Sequence, residues 1–234
     1  GDAYFNQFVS VGAVFTPNDP NLELVDDNTI LSRFNEYTVD SLYFPYLYVR
    51  YVDSIEVAGT NVPVVDTLIV QFFKRQQLDT GGFTPTGEQR EIFMKPGNWT
   101  QSLLGSNNTS YEVRIPLTAA DSTPRPTSQG WGSAQRVVAL PSGFNINSDA
   151  ANAKLAYTNA VGFSISFATM VPYSFGDTME NRAGGNTVNK VNYFGHSMYQ
   201  NSSVPVKQTS HQNNSWWVPN RIAYGSDING WENS

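Results

Sequence analysis

The chain of 234 residues contains no cysteine, two histidines and few charges. Without cysteine there are no disulfides, no thiolate zinc site and no thiol nucleophile. His196 and His211 stand fifteen positions apart, and no spacing of the i, i+4 kind joins them into a metal pair. No G-x-S-x-G elbow occurs, so a serine triad would have to be built around a lone loop histidine. Charged residues make up 15% of the chain, against about 25% in an average domain. The outer surface must then be neutral, supplied by Asn, Ser, Thr, Gln and Tyr. Net charge is −6 and no basic run exists, which excludes nucleic acid and anionic lipid surfaces as expected partners. No apolar run approaches the 18 or so residues of a membrane span, so membrane insertion is not expected. No signal peptide is visible, and GDAYFNQF reads as an interior or mature start.

What is abundant is alternation of period two. In VGFSISFATM, Val161, Phe163, Ile165 and Phe167 share one face, and Gly162, Ser164, Ser166 and Ala168 the other. This predicts a strand with one buried and one less apolar face. SYEVRIPL alternates around Val113 and Ile115 until Pro116, which places it at an edge or ends it. In VVDTLIVQFF, Leu68, Val70 and Phe72 face a core, while Thr67, Ile69, Gln71 and Phe73 take a partly covered face. LYFPYLYVRYV is aromatic on both faces, and Pro45 implies an edge or a bulge. RVVALP and VGAVF are shorter strands. Turns are expected at Ala58–Asn61, Thr80–Gly82, Ser142–Phe144, Ala183–Gly185 and Asp227–Gly230. VAGTNVPVVD reads as a hairpin joining the DSIEV and DTLIV strands. SDAANAKLAYTNAV is the best short helix, capped by Ser148 or Asp149.

Many strands and almost no helix predict an all-β chain: a two-sheet antiparallel sandwich, of which the jelly roll is one form. At 234 residues it reads as a single domain with a core large enough to need no metal or disulfide. A long surface loop is expected over Pro116–Gly132. Residues 181–234 read as a loop-rich, aromatic-rich segment packed on the sandwich through Tyr193, Phe194, Tyr199, Trp216 and Trp217.

Candidate chemistry is sparse. Glu88, Glu91 and Glu112 are acids that a glycoside hydrolase would need in facing pairs, but such acids also occur as plain surface groups. NINSDAAN places Asn145, Asn147 and Asp149 at alternating positions, where their oxygens could converge on a structural calcium. The ligand count falls short of six, and Asn and Asp are also ordinary turn residues. No other cofactor is expected. NNSWWVPNRIAYGSDINGW carries Trp216, Trp217, Tyr224 and Trp231 in a polar, turn-rich setting. Open rings of this kind stack on the apolar face of a sugar; the alternative uses are core packing and a protein interface. Trp216 and Trp217 are adjacent, so an extended chain sends them to opposite sides. Asn-x-Ser/Thr sequons occur at Asn98, Asn107, Asn108, Asn201 and Asn213, a number that chance explains in a chain this rich in these residues.

One dipeptide recurs beyond chance. Asp is followed by Ser or Thr at Asp40, Asp53, Asp66, Asp79, Asp121 and Asp177, six of twelve aspartates. Ser and Thr together are 40 of 234 residues, so about two such pairs are expected. One account is structural: the pair offers side-chain caps to loop backbone beside a strand. The other comes from likeness. VDSIEVAGTNVPVVDTLIVQFFK, YEVRIPLTAADSTP and VGFSISFATMVPYSFGDTM resemble stretches of uncharacterised secreted and cell-surface proteins of Bacteroidota, exported by type IX secretion. The resemblance runs from Asp40 to Met179, roughly half of the chain, and is one of style rather than of a diagnostic motif. The sorting domain of those proteins is not present in these residues. The resemblance implies an extracellular or cell-surface location and O-glycosylation at Asp-Ser/Thr before an apolar residue. Ser41, Ser54, Thr67 and Thr178 match that pattern, Ser122 fits more loosely, and Thr80 departs from it.

Together these features predict a non-catalytic extracellular or cell-surface β-sandwich for adhesion or glycan binding, with a glycan or surface partner. Two rivals stand beside it. One is a self-associating subunit of a surface layer, fibre or capsid; the other is a jelly-roll glycoside hydrolase or lyase.

Overall fold

The structure, a computed structural model, describes residues 8–15, 35–82, 92–96, 99–100, 105–106, 109–124, 134–147, 159–171, 191–196, 215–219 and 232–233. Among them are seventeen strands: β1 Phe8–Phe15, β2 Tyr37–Thr38, β3 Ser41–Val49, β4 Ser54–Val57, β5 Thr60–Pro63, β6 Asp66–Lys74, β7 Leu78–Gly82, β8 Ile92–Pro96, β9 Trp99–Thr100, β10 Gly105–Ser106, β11 Tyr111–Leu117, β12 Ala134–Ala139, β13 Asn145–Ile146, β14 Val161–Ala168, β15 Tyr193–His196, β16 Ser215–Pro219 and β17 Glu232–Asn233. The only helical pieces among the described residues are single 3-10 turns at Arg75–Gln77 and Ala119–Asp121. The expected all-β, sandwich-like architecture is the one observed.

Six strands form the larger sheet in the order β11-β6-β14-β1-β16-β17, and three form a smaller one in the order β12-β3-β15. Every pairing in both is antiparallel. The long alternating runs explain the register. Val70 lies between Val113 and Ile165, and Phe72 between Tyr111 and Phe163, so apolar residues of three neighbouring strands fall on one face. That face meets the inner face of the smaller sheet. Leu68, Val70, Phe72, Ile165 and Phe167 pack with Phe44, Tyr46, Tyr48 and Val138 in one buried cluster. The aromatic rings interlock: Phe167 meets Tyr48 edge-on at 6.1 Å and stacks with Phe194 at 5.9 Å. Each such buried side chain contributes about 1.5–3 kcal/mol.

The second face of the larger sheet departs from expectation. Ile69, Gln71 and Phe73 are fully buried rather than partly covered, as are Ser164 and Ser166. Ile69 and Phe73 make this face apolar in part, and its buried polar groups are bonded: Ser166 Oγ donates to Ser10 Oγ at 3.0 Å, and Gln71 Nε2 to Glu112 Oε2 at 2.8 Å.

Local rules account for other departures. The hairpin at Ala58–Asn61 forms, but it joins β4 to β5, and β6 belongs to the larger sheet instead. Ala58 (φ 50°) and Gly59 (φ 79°) both take the left-handed region that a two-residue hairpin turn demands. Thr80–Gly82 is strand β7, paired with β8, and not a turn. Pro116 does sit on an edge strand, β11. Pro45 causes no bulge in the β3–β12 register. β15 pairs with β3 only from Val49 to Tyr46, so the missing N–H of Pro45 falls where β3 has a partner on one side. Of the expected helix, 148–158 lies outside the described residues, and Val161 already begins β14. The turns at 183–185 and 227–230 also lie outside them. The C-terminal stretch supplies β15 to one sheet and β16 and β17 to the other.

Candidate functional site

Two arrangements stand out, one sealed between the sheets and one open on the smaller sheet.

The sealed arrangement centres on Asp66, the first residue of β6, which is 0% exposed. Its Oδ1 accepts the Met170 amide at 2.8 Å. Its Oδ2 accepts the Tyr48 phenol at 2.7 Å and the Asn192 amide at 3.0 Å. The Tyr48 oxygen accepts Arg50 Nη1 at 2.8 Å. Arg50 also donates to the Val64 carbonyl at 3.0 Å and pairs with Asp53 at 3.1 Å. Asn192 Oδ1 takes the amides of Tyr51 and Val52 at 2.7 and 2.8 Å. Burial, followed by the hydrogen bond to Asp66, pushes the Tyr48 phenol well above its ordinary range, and Arg50 works the other way. For Arg50, burial opposes the charge, but Asp53 and Tyr48 outweigh it and hold the guanidinium charged. Donors and acceptors here satisfy one another. The cluster ties β6 of the larger sheet to β3 of the smaller and to the chain flanking β14 and β15. It is a joint between the two sheets.

The joint answers the question raised by the Asp-Ser/Thr pairs, because a structural use is visible at three of them. Asp66 caps the Met170 amide. Asp53 holds Arg50, and its carbonyl accepts the Val64 amide at 2.9 Å. Asp121 closes a capping box: its Oδ2 accepts the Thr118 amide at 2.8 Å, and its Oδ1 accepts Arg136 at 2.8 Å. Partial burial works against the Asp121 charge, yet the Thr118 amide and Arg136 prevail and hold the carboxyl below its usual range. The segment read as a long loop is thus anchored at its start. Thr123 is buried, donates its amide to the Tyr48 carbonyl at 2.7 Å and accepts the Tyr48 amide on its hydroxyl at 3.1 Å.

The open arrangement is the outward face of β3 and β12. Their register sets Ser41 beside Ala139, Tyr43 beside Val137 and Pro45 beside Gln135. The intervening Phe44, Tyr46 and Val138 belong to the core, so these three pairs face away from it. Tyr43 is 55% exposed and Val137 61%. Arg136, between them in sequence, points inward to Asp121. Sequence reading passed over Tyr43 because its neighbours are aromatic too. The signal was the odd-numbered series Ser41, Tyr43, Pro45 set against the even-numbered series Leu42, Phe44, Tyr46.

The residues singled out from sequence are scattered. Ser41, Ser54 and Ser122 are exposed, Thr67 is half-buried in a strand with partners on both sides, and Thr178 lies outside the described residues. Trp216 and Trp217 are in β16, registered against Gly12 and Val11 of β1; Tyr224 and Trp231 lie outside the described residues. Asn145 and Asn147 are exposed, and Asn145 Oδ1 accepts the Thr38 hydroxyl at 2.7 Å; Asp149 lies outside the described residues. Glu112 is engaged by Gln71 and Arg114, and Glu88 and Glu91 lie outside the described residues. His196 stands in β15 opposite Tyr46, and His211 is not described. No helix among the described residues is long and apolar enough to cross a membrane. No known protein family, curated protein or solved structure matches the chain.

Proposed function

We propose that this chain is a non-catalytic, extracellular or cell-surface β-sandwich domain that serves adhesion by binding glycans. The observation that carries the reading is the character of its outer skin. Among the exposed strand and turn positions are the hydroxyls and amides of Ser41, Ser54, Thr60, Asn61, Gln135, Asn145 and Asn147, beside the acids Asp53 and Glu56. Three arginines of the described strands and their flanks are each held by an acid: Arg50 by Asp53, Arg114 by Glu112 and Arg136 by Asp121. A surface of neutral donors and acceptors exchanges hydrogen bonds with sugar hydroxyls without a large desolvation cost for charge. A glycan array and polysaccharide pull-down test it; binding is expected on at least one, and silence on both removes the sugar-binding reading.

The likeness to secreted Bacteroidota proteins supports export and O-glycosylation in the same reading. Ser41, Ser54 and Ser122 are the acceptors it favours, since each is exposed. Thr67, half-buried in a central strand, is disfavoured. Glycopeptide mass spectrometry of the protein secreted by its native host is expected to find sugar on the three serines and none on Thr67. Unmodified serines would remove this part.

A further inference from the structure

We propose that the outward face of β3 and β12 is a binding site for a neutral oligosaccharide, with the Tyr43 ring as its stacking platform. The inference rests on the glycan-binding reading and assigns it a site and a ligand class.

Three observations carry it. First, the frame is rigid: β3 and β12 pair over six residues without a register shift, and their inner faces are locked in the core. The positions of Ser41, Tyr43, Pro45, Gln135, Val137 and Ala139 are set by the pleat. Second, the most open apolar side chains here are cross-strand partners. Tyr43 and Val137 leave 55% and 61% of their surface in water, although the strand register would bury a wide apolar face had the sandwich placed a layer over it. An open ring beside an aliphatic group offers a flat apolar surface to the C–H face of a pyranose. The exposed Gln135 amide flanks that surface at one end, where an equatorial hydroxyl of the sugar would fall.

Third, charge and area select the ligand. None of the six outward residues is Asp, Glu, Lys, Arg or His, and the charge carried on these strands, Arg136, is turned to Asp121 at 2.8 Å. An anionic ligand finds no counter-charge on these strands, and the carboxylate beside them is Asp40, next to Ser41. A second copy of the chain finds too little surface. Two strands spaced about 4.8 Å apart and six residues rising about 3.4 Å each make a face of roughly 200 Å². A stable interface takes about 800 Å² from each partner. A short run of sugar rings matches the area that is open.

Affinity electrophoresis tests the proposal, with gels containing laminarin, mannan or xyloglucan as neutral polymers and alginate or polygalacturonate as anionic ones. Wild type is expected to be retarded by at least one neutral polymer. Tyr43→Ala is expected to weaken that retardation at least tenfold, while Tyr43→Phe, which keeps the ring, retains it. Val57→Ser, altering an exposed valine on the β4–β5 hairpin, serves as the unaffected control. Urea midpoints of the variants matching wild type establish that the fold is intact. Unchanged retardation of Tyr43→Ala overturns the site and leaves the wider glycan reading standing, as does retardation by anionic polymers alone. No retardation of wild type in any gel overturns both. A dimer that Val137→Glu dissociates reassigns the face to self-association and overturns the proposal as well.

Discussion

The two sheets differ in what they show to water. At its strands β6 and β14 the six-stranded sheet is buried on both faces: Val70 and Phe72 on one side, Gln71, Phe73, Ser164 and Ser166 on the other. In the three-stranded sheet the second face is buried at Val49 and Tyr193 but open where β3 pairs with β12, at Tyr43 and Val137. Two tyrosines of β3 put the difference in a single strand. Tyr48 is fully buried, and its phenol is fixed between Asp66 and Arg50. Tyr43, five residues earlier, stands open with no role in the core. The larger sheet and the inner face of the smaller one hold the fold, which leaves the β3–β12 part of the outer face open to water.

Breaking the joint gives the largest expected effect. Asp66→Ala leaves the buried Tyr48 hydroxyl, Asn192 amide and Met170 N–H without their acceptor. At about 1–3 kcal/mol for each of the two fully buried donors, from Tyr48 and Asn192, the loss is at least about 2 kcal/mol, read as a fall in the urea midpoint. Tyr48→Phe is gentler. It removes the acceptor of one Arg50 donor and one of the three donors to Asp66, and is expected to cost about 1–3 kcal/mol in the same titration.

Asp121→Asn comes next, at about 1 kcal/mol near neutral pH, typical of a lost cap. Its clearer signature is in acid. The folded carboxyl titrates below the ordinary 3.8, so its contribution is full above that value and is lost as pH falls through the lower folded value. The variant's stability is therefore expected to fall less steeply than wild type's below about pH 4, as measured by thermal melts across an acid series. A wild-type and a variant curve of equal slope there would remove the Asp121–Arg136 contribution. Smallest of all, Tyr43→Ala is expected to shift stability by no more than about 0.5 kcal/mol, as befits an exposed side chain. A loss comparable to Tyr48→Phe would erase the contrast between the two tyrosines.

Sequence and structure agree where period two is long and one face is strongly apolar. VGFSISFA and DTLIVQFF reveal their strands and their core-facing residues. The same pattern misleads about the opposite face. Gly162, Ser164 and Ser166 read as the less apolar face, yet all three are buried, because a low hydrophobic content is not exposure. VAGTNVPVVD hides two strand boundaries because Val62, Val64 and Val65 run on without a break, so β5 and the start of β6 merge into one apolar segment. The Asp-Ser/Thr pairs were visible as an excess, but their uses diverge through burial, which local sequence does not encode: Asp66 is sealed and Asp53 is not. Tyr43 was legible only through its neighbours at odd positions. Of the Asn145, Asn147 and Asp149 pattern, the described residues show Asn145 bonded to Thr38 and Asn147 exposed, and Asp149 lies outside them.

The division of labour within the smaller sheet is tested most directly by amide chemical-shift mapping of the labelled protein with oligomers of laminarin, mannan and xyloglucan. Shifts are expected at Ser41–Pro45 and Gln135–Ala139 and not at Leu68–Phe72. Shifts gathered instead on Trp216–Val218, or no shift with any of the three, would contradict the account.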